Sequence, residues 1–172
     1  MELEPRLTEE QIRTAVRELG RRISEDFTDK RPLLVGVLKG CFVFLADLVR
    51  EISIPVEVDF LRARSYGTGL RSTGAVELTK DVEADLEGRH VIVVEDIADT
   101  GRTLDVVVER IRAGKCASVT RCALLVREGC EPPEYFGFRI GPGFVVGYGT
   151  DYAEDYRGLR DIRTVPGTGG AD

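Results

Sequence analysis

Cysteine is sparse and badly spaced for a structural role. Cys41, Cys116, Cys122 and Cys130 show neither the Cys-x-x-Cys spacing of a zinc site nor the density of a disulfide scaffold. A reducing cytoplasm is the expected setting. No apolar run approaches the roughly 20 residues that a transmembrane helix needs. The opening Met1-Glu2-Leu3-Glu4-Pro5 places acids where a secretory signal carries positive charge, so neither membrane nor export is expected. Lysine and arginine number 24 against 30 acids, a net charge of -6, and the chain lacks the basic footprint that a nucleic-acid backbone attracts. Also missing are a Gly-x-x-x-x-Gly-Lys-Ser/Thr loop and a Gly-x-Gly-x-x-Gly after a strand. Tyr66-Gly67-Thr68-Gly69 is too short and misplaced to replace them, which leaves kinase and dehydrogenase readings little support. No internal repeat is visible.

What is present suffices for one globular domain. With 172 residues and 42% hydrophobic content, a core can form without staples, and we expect a single domain over residues 1–165 followed by a disordered tail over 166–172. Thr8-Glu9-Glu10-Gln11 reads as a capping box, and Ile12, Val16, Leu19 and Ile23 then recur at helical spacing. Leu33 to Leu38 reads as a buried strand, Phe42 to Val49 as a helix, and the alternation Val56, Val58, Phe60 as a second strand. Arg64 to Thr73, rich in Gly, Ser and Thr, reads as a mobile loop, with a short strand over Ala75 to Leu78. His90 to Val94 is a β-branched run suited to burial on both faces of a parallel sheet. A helix opens near Arg102 or Thr103 and ends near Gly114, and Val119 to Val126 forms another strand. Strands alternating with helices predict an α/β, doubly wound, mainly parallel sheet, whose ligands bind outside the carboxyl ends of the strands. The chemistry is therefore expected just after Leu38 and just after Val94.

The most informative stretch runs from Val91 to Thr103. A buried strand ends on Glu95 and Asp96 and turns through Asp99-Thr100-Gly101 into a helix. Backbone N–H groups at such a helix start favour an anion, hydroxyls of Thr100 and Thr103 donate, and Gly101 permits close approach of the backbone. Three carboxylates beside a phosphate seat need other work, such as accepting from sugar hydroxyls, handling a proton or facing a metal ion. The combination points to a sugar phosphate.

Glu95-Asp96-Ile97-Ala98-Asp99-Thr100-Gly101-Arg102-Thr103 resembles the phosphoribosyl-diphosphate motif of the type I phosphoribosyltransferases, and especially their purine-salvage branch of hypoxanthine-guanine type. Leu38-Lys39-Gly40 is similar to that family's diphosphate loop, Ser65-Tyr66 to the start of its active-site lid, and Phe144 to Tyr152 to its base-binding strand and loop. The resemblance implies the type I fold with a small hood built from the chain termini, and a purine phosphoribosyltransferase that uses Mg²⁺. It implies that Glu95 and Asp96 hold the ribose hydroxyls and, with Asp151, face metal. Asp99, Thr100, Gly101, Arg102 and Thr103 would hold the 5′-phosphate, with Asp99 also the general base at purine N7. Lys39, Gly40 and Arg157 would hold the diphosphate, and a cis peptide would precede the lysine. Arg127, Phe144, Val145 and Asp151 would meet the base, and Ser65 and Tyr66 would close as a lid. Relatives commonly form homodimers or homotetramers. Three positions depart from the family's pattern: Arg127 stands where lysine is usual, Thr150 where leucine is more common, and Ala98 where isoleucine is common. Two other readings keep the same fold: a pyrimidine phosphoribosyltransferase, against which the Phe144-to-Tyr148 segment argues, and a nucleotide-sensing RNA-binding regulator, which a clustered basic face would favour.

Overall fold

Thr8 starts the first helix through the reciprocal cap that its sequence predicts. Its hydroxyl accepts from Gln11 N at 3.2 Å, and Gln11 Oε1 accepts from Thr8 N at 2.9 Å. The computed structural model describes residues 2–65 and 76–168; Tyr66 and most of the expected mobile loop lie outside the described residues. The elements run β1 (Glu4–Leu7), α1 (Glu9–Asp26), β2 (Leu33–Leu38), α2 (Phe42–Glu51), β3 (Glu57–Ser65), β4 (Val76–Lys80), β5 (His90–Ala98), α3 (Arg102–Arg112), β6 (Ser118–Arg127), β7 (Tyr135–Ile140), β8 (Phe144–Val146) and β9 (Ile162–Val165).

Six strands form the main sheet in the order β4-β3-β2-β5-β6-β7, parallel except where β4 turns back along β3. The two-residue strand period sends Leu34, Ile92 and Val94 to one face, where they pack with Ile12, Val16, Leu19 and Ile23 of α1 and Phe44, Leu45 and Leu48 of α2. Leu33, Val35, Val91 and Val93 point the other way, to Leu104, Val107 and Ile111 of α3. Burial on both faces explains the unbroken hydrophobic runs of β2 and β5.

A second, three-stranded sheet in the order β1-β9-β8 is antiparallel throughout. It draws one strand from near the start of the chain and two from near its end, and forms the hood. Of the expected tail, Thr168 is tied in: its hydroxyl donates to Val165 O at 2.6 Å and accepts from Phe144 N at 2.9 Å. Residues 169–172 lie outside the described set. No helix among the described residues is long and apolar enough to cross a membrane.

Candidate active site

The strand ends of the parallel sheet and the hood enclose a cleft of about 330 Å³. Of the residues singled out by the sequence, Lys39, Gly40, Asp96, Asp99, Arg127, Phe144, Val145, Asp151 and Arg157 all line it. They come from segments up to 118 residues apart, so one concavity gathers what the sequence offered separately.

β2 delivers Lys39 at its carboxyl end, after a cis Leu38-Lys39 peptide. Gly40 follows because nothing larger fits: a Cβ there would lie 1.8 Å from Asp96 Oδ2. Gly149, at φ +101°, is equally constrained, since its Cβ would meet Gly40 O at 2.2 Å. Two glycines thus let the Lys39 loop nest between the Asp96 carboxylate and the loop after β8.

β5 does not end on its acids. It continues to Ala98 because Ile97 and Ala98 still pair with Leu125 and Val126 of β6. Asp99 and Thr100 then lead to Gly101, at φ +78°, which caps α3 with no side-chain hydrogen bond. Apart from Arg102 N, which donates to the Thr100 hydroxyl at a long 3.5 Å, the first turn of α3 has no side-chain cap, a geometry suited to an anion. Thr100, Gly101, Arg102 and Thr103 form this opening beside the cleft rather than its lining. Glu95 is buried, with 9% exposure, and also stands outside the lining. Ser65 closes β3 at the same end of the sheet.

Arg127, at the end of β6, is held on three sides. Nη1 donates to Gly141 O at 2.7 Å and to Gly143 O at 2.9 Å, and Nε donates to Asp99 Oδ1 at 3.3 Å. Phe144 follows this clamp directly and is 45% exposed, its ring set edge-on to Tyr152 at 5.5 Å. Thr150 uses its hydroxyl on Gly147 O at 2.8 Å, closing the loop. Ala98 is buried against the α3 side and does not line the cleft, whereas Thr150 does.

A phosphoribosyl transferase domain model matches residues 7–153. The chain belongs to the phosphoribosyltransferase family. It is 44% identical over 169 residues to a hypoxanthine phosphoribosyltransferase of Escherichia coli K12, covering 95% of each chain. It is 42% identical over 166 residues to that of Haemophilus influenzae, covering 92% of this chain and 93% of the relative. A hypoxanthine-guanine phosphoribosyltransferase from Bacillus anthracis, solved with HEPES in its active site, matches with a TM-score of 0.90 and 41% identity over 95% of this chain and 99% of that one.

The carboxylates of this phosphoribosyltransferase are electrostatically loaded. Burial pushes Asp96 up to about 6, against hydrogen bonds from the backbone and the nearby Arg157, while Asp151 adds to the rise. Glu95 is raised well above the usual carboxylate range, by burial first and then by Asp96 and Asp99. Two opposite charges answer across the cleft. Arg157 Nη2 lies 2.7 Å from Asp151 Oδ1 and 3.2 Å from Glu154 Oε2, and Lys39 Nζ lies 2.8 Å from Glu154 Oε1. The loop bearing Glu154 is strained: Ala153, Glu154 and Tyr156 have φ of 53°, 70° and 74°, and non-glycine residues there cost on the order of 1 kcal/mol each.

Sequence reasoning missed Arg62, Ala63, Arg64 and Ile97, which also line the phosphoribosyltransferase cleft. Arg62 and Arg64 sit near the carboxyl end of β3, so the strand-end rule applied to β2 and β5 would have found them. Glu154 matches the Glu of the family's Asp-Tyr-x-Glu-x-x-Arg segment, but its pairing with Lys39, 115 residues away, was not legible in the sequence.

Proposed function

We propose that this phosphoribosyltransferase moves the 5-phosphoribosyl group from phosphoribosyl diphosphate to N9 of a 6-oxopurine, releasing the purine nucleoside monophosphate and diphosphate in purine salvage. Hypoxanthine and guanine are the proposed bases, with xanthine a further candidate, and residues 1–165 act as one catalytic domain. The observation that carries this reading is the set of groups that one cleft gathers. Cations suited to diphosphate, Lys39 and Arg157, line it together with Asp96, with Asp99 and the Arg127 that contacts it, and with the exposed ring of Phe144.

In this reading the open start of α3 receives the 5′-phosphate, and Asp96 accepts from a ribose hydroxyl. The C1′–O bond to diphosphate breaks as N9 attacks C1′, and Lys39 and Arg157 offset the charge that gathers on the leaving diphosphate. Asp99 accepts the N7 proton, so the purine leaves the step neutral. Phe144 stacks on the base, and Arg127 faces its 6-oxo group. Ser65 and Tyr66 belong to the proposed lid, which excludes water from the activated ribose.

The donor set fits Mg²⁺. Asp96 and Asp151 offer hard carboxylate oxygens close enough for Asp151 to raise the Asp96 carboxyl. No trio of His, Cys, Asp or Glu among the described residues is spaced as a closed metal cage. An ion that keeps waters and binds through one or two carboxylates plus substrate phosphates suits such a half-built site. When bound, Mg²⁺ neutralises diphosphate charge. The half-exposed Phe42 on α2 supplies an apolar surface for the proposed homodimer or homotetramer, which light scattering would size.

Offering hypoxanthine, guanine, xanthine, adenine and uracil separately, with phosphoribosyl diphosphate and Mg²⁺, tests the reading. Turnover is expected with 6-oxopurines, and Asp99→Asn should lower kcat by about 10² to 10⁴. Turnover of adenine or uracil alone would refute the proposed base, and an unimpaired Asp99→Asn would refute its proton role.

A further inference from the structure

Glu154 presents one carboxylate to two cations at once. Oε1 takes Lys39 Nζ at 2.8 Å, and Oε2 takes Arg157 Nη2 at 3.2 Å. Those are the two side chains assigned above to the diphosphate, and they reach Glu154 from two different segments: Lys39 from the end of β2, Arg157 from Glu154's own loop after β8. A carboxylate spanning both is placed as an anionic ligand would be. Its own environment is unlike that of a structural anchor. Glu154 is 66% exposed, while Arg157 is only 20% exposed, so the carboxylate can swing into solvent and leave the cations facing the cleft. Its backbone is held by Asp151 Oδ2, which accepts from Glu154 N at 2.8 Å, within the run of left-handed residues at 153, 154 and 156.

We propose that Glu154 is a built-in surrogate for the diphosphate, occupying Lys39 and Arg157 between turnovers, displaced when phosphoribosyl diphosphate enters, and returning to them as diphosphate leaves. This inference rests on the diphosphate reading of Lys39 and Arg157. It explains why a second acid, beside the Asp151 that already pairs with Arg157 at 2.7 Å, sits where a leaving anion must be held: cations with less competing charge retain their product, whereas an exposed carboxylate on the same chain speeds release. Glu154 is in this sense a positioning residue, acting through the two cations and never on the reacting atoms.

Titration of inorganic diphosphate with Mg²⁺ into the protein by calorimetry tests it directly. Glu154→Gln removes the competing charge of two exposed ion pairs, each of modest strength, so diphosphate should bind about three- to tenfold more tightly. The KM for phosphoribosyl diphosphate should fall by a similar factor, kcat should fall wherever product release limits it, and the KM for the base should stay unchanged. In a Lys39→Met background Glu154 has only Arg157 to compete for, so the gain from Glu154→Gln should shrink. Glu154→Asp, one methylene shorter, should fall between the wild type and Glu154→Gln. Unchanged or weaker diphosphate binding by Glu154→Gln, with the wild type binding normally, would overturn the surrogate alone. Failure of every form, wild type included, to bind diphosphate would overturn the assignment of Lys39 and Arg157 together with it.

Discussion

Replacing Asp96 with asparagine should make the protein more stable while disabling its cleft. Burial is the main cause that lifts this carboxyl from its ordinary 3.8 to about 6 in the folded chain. Each tenfold change in a protonation equilibrium is worth about 1.4 kcal/mol, so roughly two such steps set an upper bound near 3 kcal/mol. The neutral amide gives up some of that in weaker acceptance of the backbone N–H groups of Asp96 and Ile97, which leaves a net gain of about 1–2 kcal/mol. The pH dependence has a definite sign. Below about pH 4 folded and unfolded chains both hold the proton and the aspartate costs nothing. Between about pH 4 and pH 6 the unfolded chain ionises first, and the penalty of the folded state grows to its full value. For a domain of this size, about 1–2 kcal/mol corresponds to roughly 3–6 °C in Tm. Calorimetric or circular-dichroism melts of the wild type and Asp96→Asn at about pH 7.5 should differ by that amount and converge near pH 4, while affinity for phosphoribosyl diphosphate drops in the variant. A variant that melts no higher than the wild type at pH 7.5 would refute the burial argument.

Gly40→Ala is expected to do the opposite. Its Cβ would lie 1.8 Å from Asp96 Oδ2, so the loop or the carboxylate must move, at a cost of about 2 kcal/mol or more; thermal melts and the KM for phosphoribosyl diphosphate should both worsen. Arg127→Lys keeps a donor for the base but cannot bridge Gly141 O, Gly143 O and Asp99 together. It should lower kcat more than it raises the KM for the base, whereas Arg127→Ala should impair both, as steady-state kinetics would show. Phe144→Ala removes the exposed ring at the base end and should raise the KM for the base about two- to tenfold, with the KM for phosphoribosyl diphosphate unchanged.

The sheet was legible where local pattern and global placement agree. The runs Leu33–Leu38 and His90–Val94 are hydrophobic on both faces because helices cover both, and Thr8 and Gln11 sit at the spacing that a capping box demands. The strand-end rule pointed to Lys39, Asp96 and Asp99, and all three line the cleft. Strand β1 was not read, since Glu4-Pro5-Arg6-Leu7 has no periodicity of its own and is a strand only because β9 pairs with it. β7 and β9 were missed for the same kind of reason: their strand character comes from β6 and from the hood. The extension of β5 through its acids was likewise invisible, being decided by the register with β6. At the site, single residues were readable but their partners were not. Arg127 stood out as an unusual base-edge residue, yet its clamp on Gly141 and Gly143 and its contact with Asp99 depend on the turn between β7 and β8 and on the pairing of β5 with β6.

The hood joins the first strand of the described chain to the last, with Glu4 opposite Thr164 and Phe144 opposite Val165. A ribosome makes β2, β5, α3 and β6 long before β9, so a growing chain holds Lys39, Asp96, Asp99 and the start of α3 well before the hood can close over Phe144 and Val145. With the base placed at the hood, as proposed, selection among bases would be the last property the nascent protein acquires, and the one most exposed to a nick or an early stop near residue 162. Such a shortened chain should still grip the sugar phosphate while no longer telling one base from another.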